Sequence, residues 1–319
     1  MTRRWSRLVL ALGGNALVPD TGAAGHREQL ERTRAVMAQV ALLIGRGAER
    51  VLITHGNGPQ VGAAVLRSEL ARSEVQPDPL DVCVADTQGS LGYRIQQSLR
   101  GCLDRLHLAV PVVTVVTQVR VDREDPAFND PSKPIGRFYT EAEALQIMAA
   151  RGWRMKPDAG RGWRRVVPSP RPVAIVEEKA IRRLLRAGAV VIAAGGGGIP
   201  VFQEADGSYV GVEGVIDKDL ASALLARVTG ARTLVILTGV DRVALRFGTP
   251  AEAPLDRVSR KDLRRFLKEG HFAPGSMRPK VEAVLEFLDA PGEPGRRAII
   301  ARPERLLDAL AGRAGTVAT

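Results

Sequence analysis

Apolar residues along the chain fall into two alternating patterns. Short runs are apolar at nearly every position: Leu8–Val9–Leu10–Ala11–Leu12, Val51–Leu52–Ile53–Thr54, Val110–Pro111–Val112–Val113–Thr114–Val115–Val116, Val190–Val191–Ile192–Ala193–Ala194, Leu234–Val235–Ile236–Leu237–Thr238 and Ala298–Ile299–Ile300–Ala301. Such runs predict β-strands buried on both faces. Between them, apolar positions recur with a period near 3.6. This predicts a helix over 27–46, with Leu30, Met37, Val40, Ala41 and Ile44 on one face. Further helices are predicted over about 60–73, 87–106, 140–150, 177–187, 217–229, 259–269, 278–289 and 303–312. Doubly apolar strands separated by helices indicate an α/β fold with a largely parallel sheet covered on both sides.

Four of the strands end in glycine-rich loops: Gly13–Gly14–Asn15, His55–Gly56–Asn57–Gly58, Gly195–Gly196–Gly197–Gly198 and Gly239. In open α/β sheets ligands bind at the carboxyl ends of the strands, and glycine lets backbone N–H groups close around an anion. Four such loops point to phosphate handling. Neither a Walker A loop nor the dinucleotide Gly-x-Gly-x-x-Gly turn is present, and no lysine lies in any of the four loops. The charge that meets a phosphate must therefore come from elsewhere in the chain.

Residues 122–172 break the alternation. They carry seven prolines and two tryptophans, Trp153 and Trp163, and read as a lid-like excursion. Within it, Lys133 stands between Pro131 and Pro134, which stiffen the backbone that presents it.

Composition narrows the function classes. A chain of 319 residues with 45% hydrophobic and 25% charged residues is an ordinary globular protein of one large or two medium domains. No apolar run is long enough for a membrane span and no signal peptide opens the chain, so a cytoplasmic protein is expected. Cys83 and Cys102 lack metal-type spacing and are expected as buried free thiols. The net charge of +11 invites a nucleic-acid partner, but arginines alternate with acids, as in Arg27–Glu28–Gln29–Leu30–Glu31–Arg32, and aromatics make up only 4%. A solvated, Arg-rich surface fits better, with no nucleic acid and no membrane as partner. Only seven of the 46 basic residues are lysines. Where arginine serves as the default cation, a lysine kept in a Gly- or Pro-marked loop has a task that needs a compact ammonium. Lys133, Lys218 and Lys280 meet that description.

Two constellations carry these lysines. In Ile216–Asp217–Lys218–Asp219 two carboxylates flank a cation where a helix begins. Asp217 suits an N-cap, whereas Lys218 is disfavoured at the positive end of a helix dipole unless it has an anionic partner. In His271–Phe272–Ala273–Pro274–Gly275–Ser276–Met277–Arg278–Pro279–Lys280, Gly275–Ser276 reads as an anion-facing turn and Pro279 as first-turn proline, with Lys280 at the same disfavoured end. His271 reads as a structural loop residue. His55 either touches a bound anion or packs beside its glycine turn. Asn15 and Asn57 are either turn formers or ligand contacts whose amides donate and accept.

Long ordered motifs then match a family. Ala11–Leu12–Gly13–Gly14–Asn15–Ala16, Thr54–His55–Gly56–Asn57–Gly58–Pro59–Gln60–Val61–Gly62, Thr87–Gln88–Gly89–Ser90, Lys133–Pro134–Ile135–Gly136, the run from Asp158 to Pro170, Gly195–Ile199–Pro200, Ile216–Asp219, Leu237–Asp241 and His271–Lys280 resemble carbamate kinase, of the amino acid kinase superfamily. The resemblance runs from residue 8 to Val317. It implies a three-layer αβα sandwich around a mostly parallel eight-stranded sheet with a protruding lid, and a homodimer acting in arginine metabolism. It also implies reversible phosphoryl transfer between carbamoyl phosphate and ADP, giving ATP and carbamate, with Mg²⁺ whose protein ligands stay open. An N-terminal part, 1–220, would hold carbamate or carbamoyl phosphate at Gly13, Gly14, Asn15, Gly56, Asn57, Gly58, Gly196 and Gly197. A C-terminal part, 221–319, would hold the nucleotide at Thr238, Gly239, Val240, Asp241, Gly275, Ser276 and Met277. Lys133, Lys218 and Lys280 would be catalytic, with Asp219 orienting lysines. A related small-acid kinase, a carbamoyl phosphate-synthesising enzyme and a non-catalytic nucleotide-binding regulator are the alternatives.

Overall fold

The computed structural model describes residues 5–14, 25–158, 162–292 and 294–319. Among these, eight strands form one sheet: β1 (Arg7–Leu12), β2 (Arg50–His55), β3 (Val112–Thr114), β4 (Val190–Ile192), β5 (Thr233–Leu237), β6 (Arg257–Val258), β7 (Arg297–Ala301) and β8 (Thr316–Ala318). Their order is β6-β8-β7-β5-β1-β2-β4-β3. From β7 to β3 every neighbour is parallel, and β8 alone runs antiparallel to β7, with β6 parallel to β8.

Helices cover both faces: α1 (His26–Gly45), α2 (Gly58–Leu70), α3 (Leu80–Arg105), α5 (Glu178–Arg186), α6 (Lys218–Val228), α7 (Arg260–Lys268), α8 (Met277–Asp289) and α9 (Leu306–Leu310), with α4 (Glu141–Arg151) lying in the lid. The doubly apolar strands explain the layering. Successive side chains of one strand serve opposite layers. Val9, Leu52 and Ile236 pack with Leu225 of α6 and Phe287 of α8, whereas Leu8, Leu10 and Ile53 pack with Met37 of α1 and Leu99 of α3. This is the three-layer αβα sandwich with a mostly parallel sheet that the resemblance implies.

The expected strand over 110–116 is shorter than its apolar run. Only Val112–Thr114 pairs, and the chain leaves the sheet through Thr117 into Gln118–Val121. Cys83 and Cys102 are buried free thiols, as expected. The division between residues 220 and 221 lies in the first turn of α6, and one sheet runs through both parts.

The excursion at 122–172 is ordered rather than irregular. Its neck is two antiparallel strands, Gln118–Val121 and Pro172–Ile175, with Val121 opposite Pro172. Beyond it, Lys133–Tyr139, Trp163–Val167 and Met155–Pro157 form a small antiparallel sheet beside α4. Proline was compatible with these strands because they are edge and end positions. A separate apolar cluster fastens the lid to the body: Ile135 and Val167 pack with Val61, Val65, Leu80, Val84 and Val215. Gly62 and Gly136 touch backbone to backbone there, so close that a Cβ on Gly62 would lie 2.0 Å from the Gly136 Cα.

Candidate active site

The glycine turns meet at the carboxyl ends of β1, β2, β4 and β5. The Gly13 N–H donates to the Leu237 carbonyl at 2.8 Å, and the Gly56 N–H donates to the Leu12 carbonyl at 3.0 Å, which ties three strand ends together. No side chain fits at Gly13, because its Cβ would stand 2.7 Å from the Leu237 oxygen. Gly14 follows directly beside Gly56, whose own Cβ would lie 3.4 Å from the Gly14 nitrogen. Gly58 opens α2 with Pro59 in its first turn. Asn15 lies outside the described residues.

The turn after β4 is shaped by what it must clear. A Cβ on Gly195 would reach 2.4 Å from His55 Nε2, and one on Gly196, at φ +69°, would reach 2.3 Å from Asn57 Nδ2. Gly197 closes against the Ile216 carbonyl, which leads into α6. Two glycines thus seat His55 and Asn57 beneath the turn. Asn57 is 2% exposed and donates to Thr87 Oγ1 at 2.8 Å. His55 is equally buried, and its Nδ1 lies 3.1 Å from the Gly56 carbonyl. Burial pulls the His55 pKa down to about 4, and the Lys218 charge pulls in the same direction against the Gly56 hydrogen bond. His55 is therefore a neutral packing residue at physiological pH.

A second support was not read from the sequence. Gln88 Nε2 donates to the carbonyls of Gly195 and Thr117 at 3.0 and 3.1 Å, its Oε1 accepts from the Thr117 N–H at 2.8 Å, and Thr117 Oγ1 accepts from the Ala194 N–H at 2.9 Å. Gln88 is 1% exposed, so these bonds fix the glycine turn without competition from water.

Charge arrives from three directions. Lys133 comes from the lid, Lys218 from the start of α6 and Lys280 from the start of α8. Lys133 Nζ donates to Asp217 Oδ2 at 2.7 Å. The other oxygen of the same carboxylate accepts from the backbone N–H groups of Asp219 and Leu220, at 2.9 and 3.4 Å. Asp217 thus caps α6, as expected, and also holds the lid lysine, which was not foreseen. Asp219 is the shared counterion: its Oδ1 pairs with Lys218 and its Oδ2 with Lys280 at 3.2 Å. The expected anionic partner of both helix-start lysines is this one buried carboxylate. Lys280 also donates to the Ser276 carbonyl at 3.3 Å.

Electrostatics follow from that sharing. Burial would raise the Asp217 pKa, but Lys133, by charge and hydrogen bond, and then Lys218 overcome it and hold it well below the usual carboxylate range. Burial dominates at Lys218 and lowers its pKa, and the Lys280 charge adds to that against Asp219 and Asp217. At Lys280 burial is outweighed by Asp219 and Asp217, and the pKa is raised.

The residues expected at the nucleotide lie at two neighbouring edges. Thr238, Gly239, Val240 and Asp241 form the bend after β5. The Thr238 N–H donates to Ala301 at 2.9 Å, and Asp241 pairs with Arg302 at 3.2 Å. Gly275, at φ +71°, Ser276 and Met277 open α8, one turn before Lys280. His271 lies apart, against Glu269 at 3.2 Å and edge-on to Phe266, as a structural loop residue.

A model of the amino acid kinase family matches residues 6–301 of the chain. The chain is 48% identical over 315 residues to a carbamate kinase of Pyrococcus horikoshii, covering 98% of this chain and 99% of that one. It is 47% identical over 312 residues to a carbamate kinase-like protein of Escherichia coli, YahI, covering 97% of each. A carbamate kinase from Giardia lamblia bound to AMP-PNP superimposes with a TM-score of 0.90 at 40% identity, covering 99% of both chains. With motif, fold and near-complete alignment in agreement, the chain belongs to the amino acid kinase family and, within it, to the carbamate kinases.

Proposed function

We propose that this phosphotransferase moves a phosphoryl group reversibly between carbamoyl phosphate and ADP, giving ATP and carbamate. The observation that carries the reading is the gathering of Lys133, Lys218 and Lys280 around only two carboxylates, Asp217 and Asp219, at the ends of the glycine turns. Three ammonium groups against two carboxylates leave an excess of positive charge where an anion would sit.

Phosphoryl transfer spreads charge over three equatorial oxygens, so its catalysis is positioning plus electrostatic stabilisation. In this reading Lys133 and Lys218 neutralise the group in flight and Lys280 the nucleotide side, with no covalent enzyme intermediate. Asp219 keeps two lysines from repelling one another, and Asp217 sets the lid lysine. In this reading the glycine turns at Gly13–Gly14, Gly56 and Gly196–Gly197 line the carbamoyl end, and the bends at 238–241 and 275–277 line the nucleotide end. Among the described residues no group of three or more His, Cys, Asp or Glu side chains could hold a metal by itself, and the nearby Asp217 and Asp219 are engaged by lysines. In this reading Mg²⁺ would come with the nucleotide phosphates, whose charge it offsets. The reading includes a homodimer and a cytoplasmic setting; no described helix is long and apolar enough to cross a membrane.

The test is to mix the protein with ADP, Mg²⁺ and carbamoyl phosphate and measure ATP. Absence of ATP above the uncatalysed background overturns the reading, and nucleotide binding without ATP formation selects the regulator instead.

A further inference from the structure

Helices α1 and α3 lie side by side on one face of the sheet, packed through Met37, Leu43, Ile95 and Leu99. Along their solvent side they part into a cleft of about 450 Å³, lined by Arg34 of α1 and by Gln97, Ser98, Gly101 and Arg105 of α3. Ser98 is only 5% exposed, yet its Oγ has no hydrogen-bond partner. Buried hydroxyls are ordinarily satisfied; this one is left unpartnered on a cleft-lining residue, with its oxygen turned away from solvent. Arg34 and Arg105 supply two guanidiniums, and among the described residues neither forms an ion pair, whereas Arg100 on the same helix pairs with Asp104. Arg105 is held by a hydrogen bond to Cys102 Sγ at 3.1 Å. Gly101 leaves the cleft open: a Cβ there would have only Arg105 Nη1 nearby, at 3.8 Å.

The cleft is separate from the active site. Helix α3 touches the catalytic glycine turn through Gln88, and Ser98 to Arg105 follow ten to seventeen residues later. At 1.5 Å per residue that is about 15–25 Å along the helix.

We propose that this cleft binds a small molecule bearing an oxyanion, carboxylate or phosphate, gripped by Arg34 and Arg105, with the unpartnered Ser98 hydroxyl turning toward it on binding. Planar guanidinium forks match both kinds of oxyanion.

Calorimetric titration with inorganic phosphate and with citrate, at physiological salt to screen loose surface attraction, tests this. The proteins compared are wild type, the double variant Arg34→Ala/Arg105→Ala and the cleft-filling Gly101→Met. All three keep the catalytic lysines, so anion uptake at the glycine turns is common to them. Wild type is expected to show an additional binding event for at least one probe, weakened at least about tenfold in both variants. The probe that binds identifies the source of the oxyanion. Identical isotherms for all three proteins overturn the proposal. So does weakening confined to the arginine variant, which would reduce the effect to general surface charge.

Discussion

Lys133 and Asp217 meet at 2.7 Å across 84 positions of sequence, and the carboxylate that receives the lysine also caps α6. One side chain therefore sets both the lid and the helix that begins with Lys218. The two tasks separate by substitution. Asp217→Asn keeps a capping oxygen but removes the charge that draws Lys133 in, so turnover is expected to fall at least about tenfold, together with the stability that the ionised carboxylate supplies at neutral pH. Asp217→Ala loses the cap as well and is expected to unfold more easily by about 1 kcal/mol than the Asn variant. Steady-state kinetics beside urea unfolding of the pair checks this; equal kinetics for wild type and Asp217→Asn would detach Asp217 from the lid.

The three lysines are expected to fail alike in turnover. Removing one preorganised charge from a transition state costs on the order of 3 kcal/mol, so Lys133→Ala, Lys218→Ala and Lys280→Ala should each lose at least ~100-fold in kcat while remaining folded. ATP formation from carbamoyl phosphate and ADP is the measurement. A near-normal rate for any of them removes that residue from the mechanism.

Gly62→Ala should act on the lid without touching a single charged group. The new Cβ would collide with the Gly136 backbone, which cannot yield without moving the strand that carries Lys133. Hydrogen exchange is expected to rise in 133–139 and 163–167 while β1, β2 and β5 stay protected, and kcat should drop at least about tenfold. Unchanged exchange in the lid strands would show that the contact can relax.

Acid should destabilise the fold through His55. Its pKa falls from 6.5 to about 4 on burial, so the unfolded chain binds the extra proton first as pH drops. Stability is then full above pH 6.5, declines between 6.5 and 4, and loses on the order of 3 kcal/mol across that window. Asp217 acts at lower pH: its depressed pKa gives stability that is present above the ordinary carboxylate value and lost as pH falls through the depressed one. Urea unfolding of wild type and His55→Gln from pH 7 to pH 4 separates the two, and parallel curves would exclude His55.

Much of this is legible in the sequence. Fully apolar runs such as 234–238 define strands whose two faces are both covered, and their period differs so clearly from that of α1 or α8 that the layers follow. The scarcity of lysine singled out Lys133, Lys218 and Lys280, and the structure brings all three to two aspartates. What stayed hidden were long-range polar pairs. Nothing local in Thr87–Gln88–Gly89 shows that the Gln88 amide will brace a turn 107 residues away. Asp217 fulfilled its local role as a cap, and that sufficient explanation masked its second partner. The lid read as irregular because prolines punctuate it, although short edge strands accept proline at their ends.

The neck of the lid has an architectural consequence. Val121 and Pro172 stand opposite one another on paired strands outside the eight-stranded sheet, so the intervening fifty or so residues leave and re-enter the body at one point. The lid is in that sense a single inserted cassette, and the charge borne by Lys133 is delivered wholly by it.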